Sequence, residues 1–300
     1  MVGRVVKFIR AIAWDGLWNR HRDLAPRTWA PLGHYLSPIA DLDDLRRRAG
    51  EIFDPDAPVP DIDLRLDDQR RLFETLAATA GRFAFTAAPD PQRRYHSGND
   101  WFGPGDAAIY AALLLHTRPR RVIEVGSGFS SALLLDVNEA CFSGNIACTF
   151  IEPYPDRLLS LLKPGDLERV RLVRERAQDA PLETFDALEA GDILFIDSSH
   201  VAKAGSDVNT LFFRVLPRLK PGVLIHLHDI FNAFEYPREW FFDGNRSWNE
   251  LYLLRAFLMN NRDYRIVFFN SAYAHAAGAR RDLMPQFWVN PGGGFWMVKM

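Results

Sequence analysis

Residues 121–131, with the sequence Arg-Val-Ile-Glu-Val-Gly-Ser-Gly-Phe-Ser-Ser, constrain the fold of this chain more than any other segment. A run rich in β-branched residues ends at Gly126, and a second glycine, Gly128, precedes a stretch with helical spacing. Glycine allows the backbone to turn sharply and to approach a ligand, and the first N–H groups of the following helix have no partner within the helix. The segment therefore predicts a strand, a tight turn and a helix, with a small-molecule site at the carboxyl end of the strand.

Two features of this turn narrow the kind of ligand. The dinucleotide fingerprint G-x-G-x-x-G lacks its third glycine here, because Ser131 occupies that position. Glu124, two residues before the first glycine, adds a carboxylate that repels a pyrophosphate and suits a cationic or amino-acid-like ligand. Both features disfavour a nicotinamide dinucleotide site. A tight turn that binds nothing is the alternative, since such turns recur without function.

From Gly103 onward, predicted strands and helices alternate, which is typical of a parallel sheet covered on both faces. We expect an α/β fold with a doubly wound, mostly parallel, seven-stranded sheet. The last two strands are joined by residues 271–294, where we expect no helix of useful length, so they form an antiparallel hairpin at the sheet edge. The predicted strands are 121–125, 148–151, 170–174, 192–196, 223–227, 265–269 and 295–299, and the predicted helices are 105–117, 130–141, 156–162, 181–189, 207–219 and 249–260.

The region before this alternation has a different composition. Residues 1–53 are rich in Trp and Arg, residues 54–61 form a stiff Pro- and Asp-rich segment, and residues 64–82 have helical spacing. We therefore expect a partly helical N-terminal extension over residues 1–100 and one α/β domain over residues 101–300. The apolar residues near the N-terminus favour a docking helix over one that lies on a membrane surface.

Composition excludes several classes of protein. The net charge of −2, with Arg interleaved among Asp and Glu, does not indicate a nucleic-acid-binding surface. No apolar run approaches the ~20 residues that span a bilayer, and no export-type segment is present, so we expect a soluble, cytoplasmic chain. Cys141 and Cys148 have no metal-ligand spacing and are expected to be free thiols. A homo-oligomer is compatible with these features.

Polar residues that could take part in catalysis or metal binding follow two of the buried strands. Asp197 ends the run Asp-Ile-Leu-Phe-Ile-Asp, with His200 three residues later, and His228 and Asp229 end the run Val-Leu-Ile-His-Leu-His-Asp. Ligands of open parallel sheets bind at the carboxyl ends of the strands, so these groups should lie close together. Paired polar groups at the end of a buried strand favour a function, whereas His226, deeper in the same strand, is better explained as a hydrogen-bonded core residue.

With these residues placed, the chain from about Trp101 to the C-terminus resembles the class I S-adenosylmethionine-dependent methyltransferases, in particular the group that includes metal-dependent O-methyltransferases of sugars and natural products. The resemblance implies that S-adenosylmethionine is the cofactor and that Glu152 binds its ribose hydroxyls. It further implies that Gln178 and Asp179 contact the adenine, although Asp179 is equally well explained as the N-cap of the next helix. The residues expected around the methionine part are Glu124, Gly126, Ser127 and Gly128, and Ser131 and Asp197 are also expected to bind the cofactor.

The resemblance also implies methyl transfer to a hydroxyl of a small polyhydroxylated molecule, a sugar or a glycan. A divalent cation held by Asp197, His228 and Asp229 would acidify that hydroxyl, while His200, at the offset of the basic catalytic residue in catechol-type relatives, takes the proton. Related enzymes usually present a carboxylate where this chain has His228, and imidazole suits manganese, iron or zinc better than magnesium. The alternative is a metal-free site in which His200 or His228 acts as the base.

Two aromatic segments are candidates for the acceptor site. Residues 231–248 are rich in Phe, Tyr and Trp and follow the fifth strand, where an acceptor-binding lid would close; a purely hydrophobic connection is the alternative. His96, Asn99 and Trp101 are candidates for the opposite wall. A second class of function, a binding or scaffold protein that keeps the fold without turnover, competes with the enzyme, and a nucleotide-binding oxidoreductase is disfavoured by Ser131.

Overall fold

The structure, a computed structural model, describes residues 29–300 of the chain. The predicted docking helix near the N-terminus lies outside the described residues. Within residues 29–300, no helix is both long enough and apolar enough to cross a membrane. Both cysteines, Cys141 and Cys148, carry free thiols, as the sequence predicts.

A seven-stranded sheet organises the fold, with the strand order β3-β2-β1-β4-β5-β7-β6. Strands β1 to β5 are parallel to one another, and β7 runs antiparallel to both β5 and β6. The predicted fold class, a mostly parallel seven-stranded sheet with an antiparallel hairpin, is therefore confirmed. The strands are β1 Arg121–Val125, β2 Ala147–Ile151, β3 Val170–Val173, β4 Ile193–Ile196, β5 Leu224–Leu227, β6 Tyr264–Phe269 and β7 Phe295–Lys299.

Helices cover both faces of this sheet and create two separate apolar cores. The helices are α1 Leu42–Arg47, α2 Ala49–Ile52, α3 Leu66–Ala80, α4 Pro104–Thr117, α5 Phe129–Phe142, α6 Asp156–Leu161, α7 Leu182–Asp186, α8 Asp207–Thr210, α9 Arg238–Phe242, α10 Glu250–Leu258, α11 Asn270–His275 and α12 Pro285–Val289. Residues of α3, α4 and α5 form one core. Residues of α7, α8 and α10 form the other. Alternate residues of the central strands reach opposite cores, as in β1, where Val122 and Ile123 belong to different ones.

The helices of residues 271–294 are short, as expected: α11 has six residues and α12 has five, and Phe287 in α12 is fully buried. One predicted helix differs from the structure. The predicted helix 207–219 is regular only in α8 and continues as a π-helical turn, Leu211–Val215, and a 3₁₀ turn, Leu216–Arg218. Pro217 explains the 3₁₀ turn, because proline cannot donate the backbone hydrogen bond of a regular helix.

The register of the sheet determines which residues meet at its carboxyl edge. Val125 is aligned with Ile196, and Ile196 is aligned with Leu227. The residues that follow these three positions, Gly126, Asp197 and His228, therefore leave the sheet side by side. The chain thus brings segments more than 100 residues apart to one edge, as expected for a parallel sheet.

Candidate functional site

The glycine turn after β1 fits tightly against the end of β4. Gly126 has φ +81°, and a Cβ atom there would lie 2.1 Å from the backbone oxygen of Asp197. Only glycine can occupy such a position without moving β4. We call Gly126, Ser127, Gly128 and the neighbouring Glu152 the glycine cradle.

Glu124 lies beneath this cradle, within the protein. Its side chain is fully buried and accepts hydrogen bonds from the hydroxyls of Tyr110, at 3.0 Å, and Ser131. Burial raises the pKa of Glu124 to about 8, although the hydroxyl donors favour the charged form. Ser131 also accepts a hydrogen bond from the Gly128 N–H at 3.2 Å. Ser131 therefore links the turn to Glu124 beneath it.

Glu152 follows β2 and faces the turn. One carboxylate oxygen accepts the Ser127 N–H at 3.1 Å, and the other accepts the Tyr154 N–H at 2.8 Å. A carboxylate has about four lone-pair positions, so two remain for hydroxyl donors of a ligand. The hydroxyl of Ser127 is buried and has no hydrogen-bond partner. An unsatisfied buried hydroxyl at a turn of this shape fits a polar ligand that is bound there.

Gln178 and Asp179 follow β3 and differ in their surroundings. The Gln178 side-chain oxygen is buried without a partner, while its nitrogen donates to the Gly205 carbonyl at 3.3 Å. Asp179 is paired with Arg176 at 2.5 Å, and the N-cap of α7 is Pro181. The N-cap interpretation of Asp179 is therefore wrong, because α7 begins at Leu182, two residues too late for it. Gln178 presents a free acceptor that suits an amino group.

The ends of β4 and β5 bring together Asp197, His200 and Asp229, which we call the acidic tip. Ligand atoms of these three residues all lie within 4.8 Å of one another. His200 Nε2 is 3.2 Å from Asp197 Oδ1 and 3.6 Å from Asp229 Oδ2. Two carboxylates and one imidazole nitrogen that converge in this way can hold a divalent cation.

Glu250, at the start of α10, contacts the imidazole of His200 on the side away from the two aspartates. Its carboxylate is fully buried and lies 2.8 Å from His200 Nδ1, so that Nε2 faces the two aspartates. The Ser198 hydroxyl donates to the same carboxylate at 2.9 Å. Such a carboxylate fixes the orientation of the imidazole and the nitrogen that carries the proton. Sequence reasoning missed Glu250, because nothing in the sequence connects the helix start with a histidine 50 residues earlier.

The backbone at the acidic tip is strained and well anchored. His200 and Asp229 have φ values of +60° and +59°, in a region that non-glycine residues rarely adopt. The carbonyl of His200 accepts the N–H groups of Asn249, at 3.0 Å, and Glu250, at 3.1 Å. Strained residues that are held by several contacts are concentrated at functional sites.

Charges within the tip are mutually stabilised. Burial opposes the charged form of His200, but its hydrogen bonds with Asp197 and Glu250 outweigh that effect and raise its pKa well above the usual range. Burial alone would raise the pKa of Asp197, yet the hydrogen bond and charge of His200 lower it. Without a cation, the tip is therefore an ion-paired network.

Two further histidines, His226 in β5 and His228 just after it, lie beside the tip. His228 Nε2 is 3.7 Å from Asp229 Oδ1, but His228 is not part of the three-residue cluster that can hold a cation. His226 is buried, stacks on Phe195 with ring centroids 4.0 Å apart, and has an unpartnered Nδ1. Burial lowers the pKa of His226 well below its usual range, so its ring is neutral. His226 is thus a core residue, although not a fully hydrogen-bonded one.

An aromatic cluster of residues 231–248 contacts the tip at His200. The Trp248 ring lies 4.2 Å from the His200 ring, and Trp240 contacts Trp248 with centroids 5.2 Å apart. The Arg246 guanidinium lies 4.4 Å from the Trp240 ring and 4.7 Å from the Trp248 ring. These partly exposed rings form a wall beside His200.

The three residues considered for the opposite wall have separate roles. Asn99 is a loop residue, since its side chain bonds the backbone of His96 and Phe102. His96 stands edge-on to Phe129 at the start of α5, with a buried, unpartnered Nδ1. Trp101 is exposed and supports the guanidinium of Arg157. Of the three, His96 and Trp101 lie next to the glycine cradle.

Comparison with known proteins agrees with this geometry. A family model described as a methyltransferase domain matches residues 123–230, from within β1 to just beyond β5. An uncharacterized protein from Archaeoglobus fulgidus is 34% identical over 165 residues, which cover 53% of this chain and 73% of that protein. The matched family segment contains both the glycine cradle and the acidic tip.

Similar solved structures are distant in sequence. An S-adenosylhomocysteine-bound methyltransferase of Podospora anserina is 16% identical, with 91% of this chain and 98% of that chain covered and a TM-score of 0.41. The O-methyltransferase TomG of Streptomyces achromogenes, in complex with S-adenosylmethionine, is 16% identical, with 79% and 99% covered and a TM-score of 0.42.

Proposed function

This chain belongs to the class I S-adenosylmethionine-dependent methyltransferases, and we propose that it methylates a hydroxyl of a small polyhydroxylated molecule, a sugar or a glycan with the help of a divalent cation. The observation that carries this proposal is the acidic tip beside the glycine cradle. Asp197 leaves β4 next to Gly126, so a ligand in the cradle and a cation at the tip would be neighbours.

The glycine cradle fits S-adenosylmethionine, which supplies the methyl group on a sulfonium centre when it is bound. Glu152 offers acceptor positions to two ribose hydroxyls, and the free Gln178 oxygen suits the adenine amino group. The unpartnered Ser127 hydroxyl suits the polar methionine end. We therefore retain Glu124, Gly126, Ser127, Gly128, Ser131, Glu152, Gln178, Asp179 and Asp197 as the proposed cofactor-binding set, with Glu124 and Ser131 acting from below the turn.

At the tip, we propose Asp197, Asp229 and His200 as the ligands of the cation, with His228 next to them. A divalent cation bound there would polarise an acceptor hydroxyl and lower its pKa. Glu250 keeps the Nε2 atom of His200 turned toward the two carboxylates. An imidazole among the ligands favours manganese, iron or zinc over magnesium.

His200 remains a candidate for the general base, and its surroundings define when it can act. Its Nδ1 lies against Glu250 and its Nε2 against Asp197, and its pKa is raised well above the usual range. A protonated imidazole cannot accept a proton, so His200 serves as a base only after losing its own. A cation bound to Nε2 would use the lone pair that accepts the proton, so His200 can act as the base only in the metal-free alternative.

The aromatic wall supports a sugar or another ring-bearing acceptor. Apolar rings exclude water from a polar reaction site, and sugars present apolar C–H faces that stack on such rings. Trp240 and Trp248 are both partly exposed beside the tip. The Arg246 guanidinium over these rings adds hydrogen-bond donors for an acceptor's oxygens.

We also propose the division into an extension, residues 1–100, and a catalytic domain, residues 101–300. In the described part of the extension, α3 packs Phe73 and Leu76 into the same core as α4. Such an extension would act as a helical cap on the domain.

Isothermal titration calorimetry with S-adenosylmethionine, S-adenosylhomocysteine and NAD, followed by a methyl-transfer assay, tests the proposal. We expect both sulfur-containing ligands to bind and NAD not to bind. We also expect methylation of compounds from a panel of sugars and catechols, lost on strong chelation and restored by Mn²⁺. Binding without any turnover would support the scaffold alternative. Activity that survives both chelation and the Asp229→Ala substitution would refute the proposed role of the cation.

A further inference from the structure

We propose that Arg157 binds the carboxylate of the cofactor, because its guanidinium is held on Trp101 directly above the glycine cradle and forms no salt bridge with any residue in the described range 29–300. This inference rests on the proposed cofactor site and deepens it. It assigns the amino-acid end of the cofactor to a residue that lies outside the glycine turn.

The position of Arg157 is set by two contacts. Its guanidinium carbon lies 3.5 Å from the centroid of the Trp101 ring. Its side chain also crosses Gly128, since a Cβ atom at Gly128 would lie 3.0 Å from Arg157 Cδ. Arg157 belongs to α6, which follows β2 and Glu152, whereas Trp101 precedes α4. The two residues therefore bridge the cradle from opposite sides.

Charge explains why a cation is needed here. The ionisable side chains of the cradle and its rim, Glu152 and Asp197, are carboxylates. These groups suit the ammonium and sulfonium charges of S-adenosylmethionine, but they repel its carboxylate. A bound carboxylate requires N–H or O–H donors. Arg157 is the cation that reaches over Gly128, and the Ser127 hydroxyl next to it has no partner.

The contact with Trp101 explains how the exposed Arg157 can be specific for a carboxylate. A flat guanidinium that lies on an indole ring is restricted to one plane, and its N–H groups then point outward from the edge of that plane. The fixed fork of donors matches the two oxygens of a carboxylate. A flexible lysine would lack both the stacking and the paired donors.

Binding measurements with two ligands that differ only in the carboxylate test the assignment. The ligands are S-adenosylmethionine and its decarboxylated form, titrated by calorimetry into the wild type, Arg157→Gln and Arg157→Lys. Arg118→Gln is the matched control, because Arg118 is also exposed and also lies over an aromatic ring, Phe142, at 5.1 Å, but precedes β1 at the opposite edge of the sheet.

We expect Arg157→Gln to weaken binding of S-adenosylmethionine about tenfold and to leave binding of the decarboxylated ligand within about twofold, since the lost contact involves only the carboxylate. Arg157→Lys should recover part of the loss, and Arg118→Gln should change neither affinity. Equal losses for both ligands, or no loss for either, would overturn the assignment to the carboxylate. Failure of the wild type to bind S-adenosylmethionine would instead refute the cofactor site itself, and this inference with it.

Discussion

The glycine cradle and the acidic tip occupy the same edge of one sheet, yet they are built from different parts of the polypeptide. The cradle is shaped by backbone: Gly126 turns at φ +81°, and backbone N–H groups orient the Glu152 carboxylate. The tip is shaped by side chains that come from separate segments, since Glu250 of α10 orients His200, which follows β4. The cradle should therefore respond most to added volume, and the tip to lost hydrogen bonds or charge.

The largest expected effect comes from added volume in the cradle. In Gly126→Ala, the new Cβ would lie 2.1 Å from the Asp197 backbone oxygen, and alanine would be forced to a positive φ. We expect binding of S-adenosylmethionine to fall by more than about a hundredfold, together with a clear loss of thermal stability. Calorimetry and thermal unfolding measure the two effects.

Gly144→Ala provides the control for the backbone conformation alone. Gly144 has φ +76°, but a Cβ there would meet nothing within 4 Å. This variant should lose about 1 kcal/mol of stability and none of its cofactor affinity. If Gly126→Ala behaves like Gly144→Ala, close packing against β4 does not define the cradle.

The second prediction concerns the carboxylate behind His200. Glu250→Gln retains size and hydrogen bonding but removes the charge that orients the ring, so we expect Mn²⁺ affinity to fall by about 10- to 100-fold. Binding of S-adenosylmethionine should be unchanged. Metal titration by calorimetry checks both statements, with Glu239→Gln as the control because Glu239 is exposed on α9. Unchanged Mn²⁺ affinity in Glu250→Gln would show that the tip does not depend on this contact.

The same contrast explains how much could be predicted from the sequence. Strands β1 and β7, the sheet class and the meeting of Asp197 with Asp229 follow from local patterns and from the geometry of parallel sheets. Contacts between side chains that are far apart in the sequence do not follow from such patterns, because no sequence periodicity indicates that Glu250 lies against His200. The π-helical turn after Thr210 was also missed, and Pro217 is a local signal only for the 3₁₀ turn that follows it.

The third prediction uses the protonation of Glu124. Because burial raises its pKa to about 8, the folded protein binds a proton between the ordinary carboxyl range and pH 8 that the unfolded chain releases. The contribution of Glu124 to folding stability is therefore lost as the pH rises through that window. Glu124→Gln mimics the protonated form, so its advantage over the wild type should grow from pH 5 to pH 8, to on the order of 1 kcal/mol or more.

Denaturant unfolding of both proteins at several pH values measures this difference. Asp106, also buried, has its pKa raised to about 6 by burial, so part of the wild-type pH dependence will remain in Glu124→Gln. A constant difference between the two proteins from pH 5 to pH 8 would mean that Glu124 is charged in the fold. The Ser131 hydroxyl would then donate its hydrogen bond to a charged Glu124 carboxylate beneath the turn.

The smallest expected change is a spectroscopic signal that separates the tip from the cradle. Because the Trp248 ring lies 4.2 Å from the ring of His200, binding of paramagnetic Mn²⁺ at the tip should quench Trp248 fluorescence. Trp248→Phe should remove most of that quenching and leave Mn²⁺ affinity within about twofold, since Trp248 contributes no ligand atom. Trp288→Phe is the control, because Trp288 packs against Phe287 in the other core. If Trp248→Phe retains the full quenching, Mn²⁺ binds away from Asp197, His200 and Asp229, and the acidic tip is then an ion-paired network that orients the acceptor without a metal.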